Sequence, residues 1–191
     1  PVFVDAWALW CHSCLSMQSY VLKDPALAPM AERYVFAAID TEKSGNEAFI
    51  VKYPIDNYPT FLILDPDDGS VAGRWVGTMS VTQVRAFLEE GERTVQLAHA
   101  GRLAPNDPLA RLLAGDRAAI DKQHGQAAQH YAAALELAPT TWSRRAEALY
   151  GQLRETARDG NAARCVDLAL GAMQTTGNGP NAADFAAQGV D

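Results

Sequence analysis

Apolar residues are spaced along this chain in two rhythms, and the change falls near Asn106. Before it, short apolar runs alternate with stretches of helical spacing. Val2-Phe3-Val4 reads as a buried strand, and Leu15, Met17, Val21 and Leu22 follow at helical spacing. Lys23-Asp24-Pro25 breaks that segment, with Pro25 suited to the first position of a short helical piece. Tyr34 to Ile39 is a strand of bulky apolar residues closed by Asp40. Ser44 to Tyr53 reads as a helix with Glu47 in its first turn, ended by Pro54. Thr60 to Leu64 is another buried strand, Asp65-Pro-Asp-Asp-Gly69 a turn, and Val71 to Val76 the answering arm of a hairpin. A helix from about Ser80 to Ala98 closes the series, opened by Ser80 and Gln83 in the pattern of a capping box. The order is β-α-β-α-β-β-α. Strands joined through a helix are expected to run parallel and the hairpin antiparallel, which makes the sheet mixed.

From Asn106 onward strand runs cease and alanine-rich helical spacing takes over. Gly101 to Pro108 reads as a linker between an α/β domain (residues 1–100) and an all-helical one (residues 109–191). Gly115, Ala118, Ala127, Tyr131, Ala134 and Pro139 fall at spacings that resemble a tetratricopeptide repeat, whose period is about 34 residues. A second copy is expected 35 residues on, where Ala127, Tyr131 and Ala134 map onto Ala162, Val166 and Ala169. After Thr175 a loop is expected, then a short helix from Ala182 to Gln188. Such a pair of repeats offers a helical surface to a peptide or protein partner, or caps and stabilises its neighbour.

Composition narrows the class. The 191 residues suit one large or two small domains, and the net charge of −7 sits entirely in residues 1–92, with 13 acidic and 6 basic side chains. Neither half carries a basic face for nucleic acid. No apolar run is long enough to span a membrane. The chain begins with Pro1 rather than Met, directly on a strand, so a trimmed N-terminus is expected. Three cysteines are too few for a disulfide-stapled scaffold. Cys165 stands alone among Ala and Leu and reads as a small buried apolar residue.

Chemistry concentrates in Trp10-Cys11-His12-Ser13-Cys14, between the first strand and the first helix. A thiol at a helix start meets unpaired backbone N–H groups and the positive end of the helix dipole. Both favour thiolate and can lower its pKa from about 8.5 into the range of roughly 3.5–7.5. The i, i+3 spacing brings the second sulfur to the same face, where it can attack a mixed disulfide made by the first. A zinc half-site is the competing reading. It needs two more ligands, and His99, His124 and His130 lie far downstream, where they read as exposed helix residues. No metal or other cofactor is therefore expected.

These motifs resemble the thioredoxin superfamily over residues 1 to about 92, without the N-terminal strand and helix many members carry. Trp10-Cys11-His12-Ser13-Cys14 matches the family's Trp-Cys-x-x-Cys site, and Tyr58-Pro59-Thr60 its cis-proline loop. Asp5 falls where the family keeps a buried carboxylate, and Gly77 follows the last strand as in the family. Ser19 to Pro25 more closely resembles the C-terminal domain of the periplasmic DsbD reductase. Two departures stand out: Ser19 occupies the place of a common helix proline, and Phe36 lies near that of a common lysine.

The resemblance implies a protein-disulfide oxidoreductase acting on protein disulfide or dithiol clients. Cys11 is expected to be the exposed nucleophile and Cys14 the resolving thiol. Asp5, near the end of the first strand, is expected beneath Cys14 with a raised pKa, exchanging protons with it; otherwise it is a capping or turn aspartate. Trp10 and Tyr58-Pro59 line the rim that receives a client. His12 either steadies the Cys11 thiolate, which makes the disulfide more oxidising, or is a solvated bystander. The DsbD-like segment and the trimmed start favour an extracytoplasmic protein, whereas thioredoxin–repeat pairings known in the cytosol argue the other way. The alternative function is a thioredoxin-and-repeat scaffold serving as a chaperone or interaction module.

Overall fold

Val2 to Trp7 form the strand around which the first half is built. The computed structural model describes residues 1–176, with side chains to residue 172, and the helix expected at Ala182 to Gln188 lies outside the described residues. Packing divides the chain into two compact units, Pro1–Arg102 and a second that begins at Leu103.

In the first unit, β1 (Val2–Trp7) runs parallel to β2 (Val35–Asp40) and antiparallel to β3 (Thr60–Leu64). β3 pairs antiparallel with β4 (Val71–Val76), giving a mixed sheet in the order β2-β1-β3-β4. Side chains alternate across a strand, so Phe3 and Asp5 share one face of β1 and Val4 the other. Phe3, Phe61 and Ile63 pack with Met17, Val84, Phe87 and Leu88 on the first face. Val4, Leu62 and Tyr53 pack with Phe49 on the second. At the sheet edge, β2 leaves Val35 and Phe36 exposed.

Helices follow the sequence with instructive exceptions. α1 (His12–Ser16) is only five residues long and continues as a π-helical turn over Met17–Val21. A single α-helix was the expectation there. Pro25–Met30 is 3-10 helix with Asp24 capping Ala26 N–H. α2 (Glu47–Lys52) follows a 3-10 turn at Ser44–Asn46. α3 (Val81–His99) opens with the capping box complete: Ser80 accepts from Gln83 N–H, and Gln83 accepts from Ser80 N–H.

Among the described residues, the second unit holds α4 (Pro108–Ile120), α5 (His124–Leu137), α6 (Arg145–Arg158) and α7 (Ala162–Thr176). Tyr131 of α5 is the wedge. A Cβ on Gly115 of α4 would come within 2.7 Å of its ring, and one on Gly151 of α6 within 2.8 Å, so only glycine admits the aromatic there. The expected second copy is out of register. α6 begins at Arg145, 37 residues after α4 at Pro108, and α7 at Ala162, 38 after α5 at His124. Buried Ala127, Tyr131 and Ala134 are therefore matched by buried Cys165, Ala169 and Ala172, while Val166 is 47% exposed. The stretch from Ala138 to Arg144 between α5 and α6 accounts for the longer offset. Cys165 packs with Leu153 and Ala169.

Candidate active site

The site forms where β1 ends and α1 begins. Cys11 N–H donates to Ala8 O at 3.0 Å, closing a turn that leaves Leu9 and Trp10 exposed at its lip. Cys11 then caps α1: its Sγ accepts the backbone N–H of Cys14 at 3.1 Å. Cys11 and Cys14 are joined as a disulfide, with Sγ–Sγ 2.02 Å and Cα–Cα 5.3 Å. The Cys11 sulfur thus occupies, in oxidised form, the place its thiolate would take. A sulfur there accepts an otherwise orphaned helix N–H, which favours negative charge on it.

Accessibility differs from expectation. Cys11 is the more accessible of the pair, but it is only 4% exposed, against 0% for Cys14. The pair packs with Ala8, and Trp7 and Tyr58 close over it. Trp10 stands edge-on to Tyr58 with ring centroids 5.1 Å apart, and its Nε1 donates to Glu42 Oε1 at 2.8 Å. Tyr58 shares a hydrogen bond with Thr41 Oγ1 at 2.8 Å, and the Tyr58–Pro59 peptide is cis. His12 is exposed; the side-chain oxygen beside Cys11 Sγ belongs to Ser13, at 3.4 Å.

Asp5 lies within β1 rather than near its end, because the strand continues to Trp7. It is buried between in-register Ala38 and Phe61, which removes the capping and turn readings. Its Oδ2 accepts from Gln18 Nε2 at 2.7 Å, and its buried Oδ1 has no hydrogen-bond partner. Burial pushes the carboxyl up to about 6, and the Gln18 bond opposes part of that rise.

Gln18, Ser13, Thr41 and Glu42 are neighbours that sequence reasoning missed. Only Gln18 left a signal, since it stands four residues after Cys14, the spacing of side chains on one helix face. Of the histidines, His99 is exposed on α3 as expected, whereas His124 and His130 on α5 are half-buried. His99 Nε2 lies 2.7 Å from Asp65 and 3.6 Å from Asp67, the three groups forming a cluster of potential ligands held by the His99–Asp65 hydrogen bond. His124 Nδ1 lies 2.7 Å from Glu155 Oε2.

Comparison with known proteins bears on the same half of the chain. A family model described as a thioredoxin-like domain matches residues 1–92. A thioredoxin from Pseudomonas aeruginosa is 31% identical over 91 residues, which is 47% of this chain and 77% of that protein. This chain belongs to the thioredoxin-like family. A second relative, protein disulfide-isomerase 1 from Dictyostelium discoideum, is 30% identical over 95 residues, 49% of this chain. The chain spans only 25% of that protein's length. Among solved structures, a thioredoxin from Thermus thermophilus covers 52% of this chain and 79% of its own, at 23% identity and a TM-score of 0.47. The thioredoxin-like domain ends before the helical unit begins. No helix among the described residues is long and apolar enough to cross a membrane.

Proposed function

We propose that the thioredoxin-like unit exchanges electrons with protein disulfides and dithiols through Cys11 and Cys14. The observation that carries this reading is the Cys11 sulfur: bonded to Cys14, capping α1, and carried by the more accessible residue of the pair.

In the reducing direction, the Cys11 thiolate attacks one sulfur of a client disulfide. That S–S bond breaks, and the first client thiolate leaves. Cys14 gives its proton to Asp5 and attacks Cys11 Sγ. The mixed disulfide breaks, the second client thiolate leaves, and the Cys11–Cys14 disulfide forms. Two electrons pass from the protein dithiol to the client; oxidation runs the same steps backwards. Trp10 and the Tyr58-Pro59 loop receive the client chain, and His12 stands at the rim beside it. Low accessibility of the sulfurs fits a reaction that waits for a docked client rather than free thiols. No cofactor takes part.

The helical unit serves, in this reading, as a tetratricopeptide-like partner surface. Its polar groove, lined by Gln129, Ala132, Gln152, Thr156, Asn161 and Arg164, supports that assignment. Insulin reduction by dithiothreitol tests the exchange reading: the wild type should accelerate it and Cys11→Ser should lose the acceleration. Equal rates would overturn it. If Cys11→Ser then still suppressed client aggregation in full, the scaffold function would stand in its place.

A further inference from the structure

Asp5 is the one buried group of the site whose two polar atoms have different surroundings. Oδ2 is held by the Gln18 amide at 2.7 Å, whereas Oδ1 is buried and bare. Its sheet neighbours in register, Ala38 and Phe61, are apolar. Arg74 pairs with Leu62 and so belongs to the opposite face. On the helix side, Cys14 and Gln18 stand four residues apart; besides the two cysteines, which titrate only when reduced, the titratable groups of that segment are His12 and Tyr20, both exposed.

We propose that Gln18 is the positioning residue for Asp5: its amide fixes Oδ2 and leaves Oδ1 as the atom that takes and returns the Cys14 proton. The role rests on the exchange reading above. An anchored Oδ2 prevents the carboxyl from rotating, so the proton always arrives at the same atom. The amide also donates to the charged form more strongly than to the neutral one, which opposes the upward push of burial. Widening of the helix into a π turn at Met17–Val21 starts one residue before Gln18, and such insertions recur at functional positions.

The test is Gln18→Met in the full chain, which keeps length and volume but removes the donor. Asp5 is followed by its carboxyl carbon resonance across pH, and insulin reduction is measured over the same range. The Asp5 midpoint should rise from about 6 by roughly half a unit to one unit. The inflection in the rate profile should move with it, and the rate should fall several-fold. In an Asp5→Asn background the same substitution should leave the rate profile unmoved, since the pair acts as one unit. An unmoved Asp5 midpoint, or a rate loss equal at every pH, overturns the proposal while leaving the exchange reading intact. Absence of exchange in the wild type overturns both, and the carboxyl titration then reports the hydrogen bond alone.

Discussion

Each unit buries a carboxylate, and the two meet opposite fates. Asp5 has one neutral donor, Gln18, and its pKa is raised. Glu155 is buried even more completely, at 0% exposure, and its pKa is lowered. Burial alone would raise Glu155 as well. Arg154 at 2.7 Å, the His124 hydrogen bond at 2.7 Å and Arg158 at 3.7 Å together outweigh it. Depth therefore sets the cost of the charge, and the number of cations around it decides whether the charge survives. A carboxyl left with a single amide can change protonation near neutrality; one ringed by cations is fixed in place and holds helices together. The same residue chemistry is left able to titrate in one unit, as the proposed proton carrier must, and is a structural tie in the other.

The largest effect that can break this contrast is Glu155→Ala. Arg154 is itself buried, with 5% of its side chain exposed, and it would be left without its carboxylate. Removing one partner of a buried pair costs about 3–5 kcal/mol. The loss should show as faster amide exchange through α5 and α6, with the first unit unaffected. Because the folded pKa of Glu155 is depressed, its contribution is present above the unfolded value and lost as pH falls through the folded one. Glu155→Gln should therefore flatten the acid limb of stability of the helical unit. A cost below about 1 kcal/mol would mean that the cations solvate one another's loss and the contrast is empty.

Asp5→Asn should act with the opposite sign. The folded pKa is raised from 3.8 to about 6, so between those values the native state holds more protons than the unfolded chain. Stability is complete below 3.8 and declines as pH rises through 6. The shift sets a ceiling of about 3 kcal/mol, and the unsatisfied Asn amide gives part of it back, leaving a gain of about 1–2 kcal/mol at pH 7. At pH 3, where Asp5 is protonated in both states, the order should reverse, with Asp5→Asn the less stable by the cost of its amide, about 1–2 kcal/mol. Urea unfolding at both pH values, read from amide exchange in β1 and β3, measures it. Loss of stability at pH 7 would show that the charged carboxyl is tied down after all.

How much of this was legible in the sequence follows the distance over which each feature is decided. β3 and β4, the turn between them and the capping box of α3 depend on adjacent residues and are found where the pattern places them. The π turn after Ser16 is not, since Met17 there packs against residues from β1 and from Met79, far along the chain. Burial of the Cys11 sulfur is likewise decided by Tyr58, and the pairing of His124 by Glu155, 31 residues away. The offset between helix pairs depends on the connection at 138–144, whose length a fixed period ignores. Gln18 was within reach: its spacing from Cys14 was visible, but its bond to Asp5 joins a helix to a strand thirteen residues earlier.

The smallest effect sharpens the contrast, because the helical unit also holds a buried carboxylate met by a neutral donor. Tyr131 Oη donates to Asp116 Oδ1 at 2.8 Å, and both residues are buried. Tyr131→Phe deletes that bond and leaves the ring wedged between Gly115 and Gly151. Losing one neutral donor to a buried acceptor should cost about 1–2 kcal/mol in urea unfolding of the helical unit. Gly151→Ala supplies the scale for the ring itself, since the added Cβ would meet it at 2.8 Å and force the helices apart. If Tyr131→Phe costs as much as Glu155→Ala, loss of one neutral donor weighs on a buried carboxylate as heavily as loss of the carboxylate among cations. Gln18 would then be a lock on the charged form of Asp5 rather than a guide for its proton. A cost well below that of Glu155→Ala, with Gly151→Ala between them or above Tyr131→Phe, keeps the distinction between tying a charge down and leaving it free to move.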